Sequence, residues 1–521
     1  MKARLMFTDR EFTVAREPRS GEGDLVADLE LRTLWAAMAN GDPIIEESSR
    51  AALLEPLTDP VQIRYRQAVL ADCLAKPDVV RELYALAVEA VAAEKKVWRG
   101  LFNNRGEGLL RRSVSVLELL VGTLRQLRST TDRHAAEFRS DGFTQFFDTL
   151  RRELDDDYFG EISQHLRQLS FRDGVLATAR LGKLGQGTGY VLRTPRREHR
   201  ILRFLPPAVK RPSFSWVIPP RDDGAGYEMA ALRDRVLSIV ANAVGQSTDH
   251  IVSFFSALRA ELAFYVGCLN LHDRLSVHSE PVSMPDPHPP GDAVRNAIGL
   301  YDPCLALRLD GPVQGSDLHA DQKPLIIITG ANQGGKSTFL RSLGLAQLMM
   351  QAGMFVAADA YAATVARDVF SHYKREEDAT MTAGKFDEEL ARMSRLTAAI
   401  DTDDLLLCNE SFAATNEREG SEIASEVIHA LTDTGNTVVF VTHLYELAHR
   451  FHRHHADSTL FLRADRGNDG QRSFRITEGA PLPTSYGEDL YRETFASADT
   501  PAPDRVAASV STTDAKASSR R

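Results

Sequence analysis

Cysteine is scarce. The 521 residues hold four (Cys73, Cys268, Cys304 and Cys408), far apart and without a C-x-x-C pair. That excludes a disulfide framework and a cysteine zinc site, and the expectation is reduced thiols in a cytoplasmic setting. No excess of positive charge is present: 62 basic residues stand against 72 acidic, a net charge of −10. No whole-molecule field therefore favours nucleic acid, and any nucleic-acid face must be local. Uninterrupted apolar runs of membrane-spanning length are also lacking. The most apolar long stretch, 343–366, is broken by Gln347, Gln351 and Asp359, and reads as a buried helix and following turn rather than a membrane span. The first ten residues include Lys2, Arg4 and Arg10 with no apolar run behind them, so no signal peptide and no membrane partner are expected. Hydrophobic residues at 43% and charged residues at 26% are ordinary for a globular chain.

The pattern changes character along the chain. After a short N-terminal segment (1–23), residues 24–171 are helical, with Leu117, Leu120, Val121, Leu124 and Leu127 forming one apolar stripe. Asn103 to Gly108 reads as an interhelical loop. Residues 172–226 look like short strands and turns set into the helical frame. Between 172 and 221 this insert carries eleven basic residues against two acidic, with Tyr190, Phe204, Phe214 and Trp216 interleaved. Two readings stand: a DNA phosphate-contact surface using Arg193, Arg196, Arg197, Arg200, Arg203, Lys210 and Arg211, or a solvated β-insert. Residues 227–290 read as a helical return and linker: helical periodicity runs from Tyr227 to Leu275 with Phe254, Leu258, Leu262, Tyr265 and Leu269, and the part from Pro281 to Pro290 reads as a proline-rich linker. Residues 291–496 alternate strands and helices, which predicts an α/β domain with a mostly parallel sheet. The tail 497–521 has too few large apolar residues to bury a core and is expected to be disordered.

Chemistry concentrates in the α/β part. Gly330-Ala331-Asn332-Gln333-Gly334-Gly335-Lys336-Ser337-Thr338 fits G-x-x-x-x-G-K-[ST]. The glycines let backbone N–H groups turn toward phosphate oxygens, and the helix that follows aims its positive end at the same place. Lys336 then reaches the β- and γ-phosphates of ATP, and Ser337 supplies a hydroxyl to Mg²⁺. Leu405-Leu406-Leu407-Cys408 reads as a buried parallel strand ending in Asn409-Glu410. Asn409 stands where an aspartate commonly holds the Mg²⁺ shell, and Glu410 is the candidate general base and second metal-side oxygen. A second buried strand, Thr437 to Thr442, ends at His443, a candidate for sensing the γ-phosphate.

These residues resemble the ATPase domain of the MutS family over about 296–492. The resemblance rests on the Asn332/Gly334-Gly335 loop, the helix from Phe339 to Ala352 running into Gly353 to Ala358, and Asn409-Glu410 followed by Thr415 and Gly420. Thr442-His443 and Ser485-Tyr486-Gly487 complete it. Pro56 to Pro60 with Ile63, Arg64 and Gln67 resembles the family's helical lever region. The resemblance implies an ABC-type P-loop ATPase domain preceded by a helical lever/core domain with a small β-rich insert. It also implies a homodimer with composite ATP sites, and a nucleotide-driven grip on mismatched or branched DNA. Lys336, Glu410 and His443 take the catalytic roles. Lys385, Glu389 and Thr415 take the roles that reach across the dimer, with Gly384-Lys385-Phe386 where the family usually has Ser-Thr-Phe.

The lever-like helices begin near Asp24, so the expectation is a short member without the mismatch-reading, connector or nuclease domains. Phe386-Asp387-Glu388 lies inside the ATPase part and is not read as the mismatch wedge. An ATP-binding scaffold with little hydrolysis, working through protein partners, is the alternative that Asn409 keeps open.

Overall fold

A computed structural model describes residues 1–98, 106–169, 171, 176–183, 187–193, 217, 223–277, 279–309, 311–375, 384–466 and 472–482. The helical part opens with α1 (Glu22–Asp28), α2 (Leu31–Ala39), α3 (Pro43–Leu54), α4 (Pro60–Ala75) and α5 (Pro77–Trp98). It continues with α6 (Gly106–His134), α7 (Asp141–Glu153) and α8 (Asp156–Leu169). Helices α3 and α4 start the same way: Asp42 and Asp59 accept from the N–H two residues on, and a proline sits at the first helical position. The proline has no N–H to leave unsatisfied there, and the carboxylate caps one that is.

A hairpin, β1 (Leu176–Leu181) against β2 (Gly187–Arg193), precedes the 54-residue α9 (Asp223–Ser276). Helix α9 lies against α2, α3, α5 and α6. Phe254, Leu258, Leu262, Tyr265 and Leu269 are buried on it, as is the Leu117–Leu127 stripe of α6. By length and hydropathy, 227–276 could cross a membrane, but two-thirds of its most apolar stretch is buried inside the protein. Its apolarity is therefore accounted for by helix packing. Gly106 to Gly108 opens α6, so the helix begins inside the stretch that reads as a loop. Arg125 donates to Ser163 Oγ of α8, Arg128 to Leu154 O at the end of α7 and Arg133 to Glu82 of α5, so these arginines tie helices together. Phe159-Gly160-Glu161 in α8 is a second Phe-x-Glu; its ring is buried, with the Arg125 guanidinium 5.0 Å from the centroid.

The α/β part holds β3 (Asp286–His288), β4 (Arg295–Leu300), α10 (Pro303–Ala306), β5 (Ser316–His319) and β6 (Leu325–Thr329). Next come α11 (Lys336–Gln351), β7 (Ala360–Thr364), β8 (Val369–Tyr373), α12 (Lys385–Thr397) and β9 (Leu405–Asn409). The remainder is α13 (Glu417–Asp433), β10 (Thr437–Val441), α14 (Tyr445–His454), β11 (Thr459–Arg466) and β12 (Arg472–Glu478). One sheet runs β12-β11-β6-β10-β9-β8, parallel from β11 to β8 with β12 antiparallel at the edge. A second runs β3-β7-β4-β5. Strand β3 falls inside the proline-rich stretch that reads as a linker; it pairs in parallel with β7, so this stretch is part of the sheet.

Helix α11 connects the two parts. Gly344 lets it sit close to the sheet: a Cβ there would meet Leu407 Cδ1 at 2.5 Å and Leu29 Cδ2 at 2.9 Å. Arg341, midway along, pairs with Glu30 at the α1–α2 turn and with Asp302, the cap of α10. The C-terminus closes with Gly353 at φ +79, Gly353 N donating to Met350 O and Met354 N to Met349 O. That is the Schellman arrangement, and glycine suits its left-handed residue. Arg66 of α4 is buried there, donating to Ala352 O at 3.2 Å and to Met6 O at 2.9 Å. Its charge sits at the negative end of α11. Leu57 N donates to Gln351 O, and the Gln351 side-chain amide donates to Leu57 O.

The first residues are part of this core. Leu5, Met6 and Phe7 are buried, and the N–H groups of Leu5 and Met6 donate to the Glu261 carboxylate of α9. Burial pushes the Glu261 carboxyl up to about 7 against the opposing backbone hydrogen bonds.

Two outcomes are expected. Arg66→Met leaves Met6 O and Ala352 O without their charged donor and costs about 2–4 kcal/mol in urea unfolding; a change within about 0.5 kcal/mol would count against the clamp. Glu261 has its folded pKa raised above the ordinary value of 4.5. Its stabilising term is full below that value and is lost as pH rises toward about 7. The parent should therefore lose stability relative to Glu261→Gln across that window, read as the difference between their unfolding curves; a pH-independent difference contradicts it.

Candidate functional site

Strand β6 is buried at all five positions and delivers the chain to Gly330 at the carboxyl end of the sheet. The loop needs left-handed backbone at Gly330 (φ +112), Gln333 (φ +60) and Gly335 (φ +91). A Cβ on Gly335 would come within 3.1 Å of Phe474 O on β12, so space as well as φ favours glycine. Gly334 N donates to Ala331 O, which tightens the loop, and α11 begins at Lys336.

Lys336 is 5% exposed, with its ammonium donating to Gly330 O and Ala331 O, each at 2.9 Å. Burial pulls its pKa down, and the Glu410 charge partly offsets this. The lysine is thus held at the loop by neutral carbonyls, with no anionic partner at hydrogen-bond distance among the described residues, so an incoming phosphate is a better partner than those it holds.

Strands β9 and β10 end beside the loop. Ser337 Oγ donates to Asn409 Oδ1 at 3.0 Å. Glu410 has φ +54, and its N–H donates to Val441 O. Its carboxylate lies 3.9 Å from His443 Nδ1 and 3.8 Å from Lys374 Nζ. The His443 contact is the largest influence holding the Glu410 carboxyl below the usual range; the Lys374 and Lys336 charges add to it while burial opposes. Glu410 is therefore ionised at neutral pH. The structure brings Lys336, Ser337, Asn409, Glu410 and His443 together from three separated stretches. Ser337 and Asn409 offer two adjacent neutral oxygens with one carboxylate behind them. This hard-oxygen set suits an Mg²⁺ that also takes phosphate oxygens, rather than a self-contained metal cage. Among the described residues no group of three or more His, Cys, Asp or Glu could hold a metal by itself.

The residues expected to reach across a dimer divide. Glu389 is buried and accepts from Phe412 N at 2.6 Å, bracing the turn after Glu410 within its own subunit. That turn needs the brace because Phe412 has φ +64. Within its own chain Glu389 therefore positions that turn. Lys385 opens α12 and is partly exposed; Thr415 Oγ1 donates to Glu419 Oε2 at 2.8 Å at the protein surface. Of the basic insert, Arg193 is exposed on β2, with Nε donating to Thr178 Oγ1 at 3.4 Å. Arg196, Arg197, Arg200, Arg203, Lys210 and Arg211 lie outside the described residues, as do Ser485-Tyr486-Gly487.

Sequence reasoning missed Lys374 and the residues around it. Lys374 follows β8, whose Tyr373 is in register with Asn409, and Lys374 N donates to Asn409 O. Behind it, His372 Nδ1 lies 2.7 Å from Ser411 Oγ, and burial pulls this histidine down to about 4, keeping it neutral. The signal available was Val369 to Tyr373 as a strand, obscured by Ser371 and His372 in its middle.

Two family models match the chain: the MutS2 N-terminal domain over residues 58–278 and MutS domain V over 326–496. The DNA mismatch repair protein MSH3 of Pyricularia oryzae is 24% identical over 419 residues, 74% of this chain and 35% of that protein. Endonuclease MutS2 of Lactiplantibacillus plantarum is 34% identical over 130 residues, 25% of this chain and 16% of its own length. MutS protein homolog 4 of Homo sapiens is 28% identical over 138 residues, 26% of this chain and 15% of that protein. The matched stretches thus span about a third or less of these relatives.

Holding Glu410 as a carboxylate has a measurable consequence. Any turnover that needs it ionised should fall only as pH drops below the ordinary carboxylate value of 4.5. His443→Ala should move that acid limb upward in a pH–rate profile; an unmoved limb would show that His443 does not set the charge state. With the loop and the strand-end residues assembled, and with both halves of the chain matched by its models, the chain belongs to the MutS family.

Proposed function

We propose that this chain is an ABC-type P-loop ATPase that binds ATP at Gly330–Thr338, hydrolyses it slowly, and uses nucleotide state to change its grip on DNA in repair or recombination. The observation that carries the reading is the convergence of Lys336, Ser337, Asn409, Glu410 and His443 at the carboxyl ends of β6, β9 and β10. Ligands of open α/β sheets bind at that edge.

Backbone N–H groups of the loop and the start of α11 receive the phosphates. Lys336 exchanges its two carbonyl partners for β- and γ-phosphate oxygens. Glu410 orients a water and accepts its proton, and His443 keeps that carboxylate charged and aligned. Ser337 and Asn409 would hold the shell of an Mg²⁺, which would neutralise phosphate charge. Asn409 lacks the charge of an aspartate, which favours slow turnover.

The change at the Lys336 end is passed along α11 to α4 through Gln351, Ala352 and Arg66. The helical part and the basic insert then hold DNA by backbone and shape. Arg180, Lys183 and Arg193 are exposed on the described hairpin strands and their margin. Two copies form a homodimer in which Lys385 and Thr415 face the neighbouring subunit. A nucleotide-binding scaffold is the second reading, favoured by Asn409.

Lys336→Ala should lower Mg-ATP affinity at least about tenfold by calorimetry; unchanged affinity refutes the loop assignment. Glu410→Gln should keep ATP binding and lose about 10²-fold or more in turnover, whereas a parent no faster than this variant establishes the scaffold reading. Neutralising Arg196, Arg197 and Arg200 together should weaken binding to matched and mismatched duplexes alike and flatten the dependence on salt. DNA binding that is unaltered removes the insert from the interface.

A further inference from the structure

The helical part meets the larger sheet at a second place besides α11. Strand β8 stands at the end of that sheet, paired with β9 among the described residues, and α1 lies against it. Three contacts spaced along the strand hold α1 there. Arg19, just before the helix, pairs with Asp368 at 2.8 Å. Ser371 Oγ donates to Asp28 Oδ2 at 2.7 Å, and Ser371 is buried, so this contact is an interior one. Beyond the strand, Arg375 pairs with Asp24. A strand at the end of a sheet lacks a second strand to hold it; here a helix from the other part of the molecule does so.

What these contacts pin is Lys374, the residue between Tyr373 and Arg375. Tyr373 is in register with Asn409, and Lys374 N donates to Asn409 O at 2.9 Å, so its main chain is fixed against the end of β9. Its ammonium lies 3.8 Å from Glu410 Oε2, while His443 Nδ1 lies 3.9 Å from Oε1. The two oxygens of one carboxylate thus face groups delivered by different strands, β8 and β10. Glu389, the other carboxylate lining the cleft beside Lys374, is engaged by Phe412 N. Glu410 needs orienting from outside, because it stands past the end of β9 at φ +54 and does not inherit its direction from strand alternation. At 3.8 Å the attraction is electrostatic rather than a hydrogen bond. It turns the carboxylate without occupying the lone pairs that accept a proton.

We propose that Lys374 is a positioning residue for Glu410, and that α1, by pinning the end of β8, lets the helical part act on ATP hydrolysis separately from its connection to the loop through α11. The role rests on the reading of Glu410 as the base of an ATPase. The step it serves is ordinary hydrolysis: water oxygen bonds to the γ-phosphorus, its proton passes to Glu410, and the bond to the β–γ bridging oxygen breaks to release ADP. Lys374 neither gives nor takes a proton in it.

The test measures turnover and Mg-ATP affinity separately on the full chain, by steady-state kinetics and calorimetry. Lys374→Ala should lower kcat about tenfold, with ATP affinity and circular dichroism unchanged. That split marks an interaction used in the reaction rather than in binding or folding. Lys374→Arg, which returns the cation, should restore most of the loss. Asp24→Ala removes a partly exposed pair and should lower kcat about threefold, adding nothing in the Lys374→Ala chain. In Glu410→Gln, where no carboxylate is left to orient, Lys374→Ala should cost nothing more. Unchanged or raised kcat in Lys374→Ala, a matching loss of ATP affinity, or the same loss in the Glu410→Gln background overturns the role of Lys374. An Asp24→Ala chain as fast as the parent removes α1 from the route. A parent no faster than Glu410→Gln refutes the reading of Glu410 itself, and the role falls with it.

Discussion

Both ends of α11 are spoken for, and the rest of the molecule is arranged around that fact. Its N-terminus follows the glycine loop and carries Lys336; its C-terminus is closed by Gly353 and gripped by Arg66 and Leu57 from the helical part. Arg341 fixes the middle to Glu30 and Asp302. A packed helix moves as a body, because interiors at near-crystalline density do not absorb displacement locally. In the proposed function a shift of the loop onto phosphate is carried to α4, and strain at α4 is carried back to the loop. Such coupling is reciprocal by thermodynamic necessity, so whatever α4 and α9 hold also biases nucleotide affinity.

Charge is managed differently in the two halves. In the helical core, buried charges are met mainly by backbone groups: Arg66 by carbonyls, Glu261 by the N–H groups of Leu5 and Met6. Those contacts hold the first residues in place. At the carboxyl edge of the sheet the matching is incomplete. Lys336 rests on neutral carbonyls, and the Glu410 carboxylate lies 3.8 Å from Lys374 Nζ and 3.9 Å from His443 Nδ1.

The parts of the site carried by continuous apolar runs were legible in the sequence. Strands β9 and β10 are bounded within a residue of where the apolar runs placed them, because a buried parallel strand leaves little room for polar interruption. Lys336, Ser337, Asn409, Glu410 and His443 follow from those strand ends. Strand β8 was hidden by Ser371 and His372, each satisfied by a partner that only the folded chain supplies: Asp28 for the one, Ser411 for the other. Lys374 was invisible for a related reason. Its place beside Glu410 depends on β8 lying next to β9, a neighbour relation that chain order does not reveal. Strand β3 was masked by its prolines, which an edge strand tolerates.

The most direct test is amide hydrogen exchange on the intact chain with and without Mg-ATP. If α11 joins a nucleotide to the helical part, protection rises at Gly335 to Thr338 and exchange also changes at Leu57, whose N–H is bonded to Gln351 O. A response confined to the loop, or none at either end of α11, would contradict it.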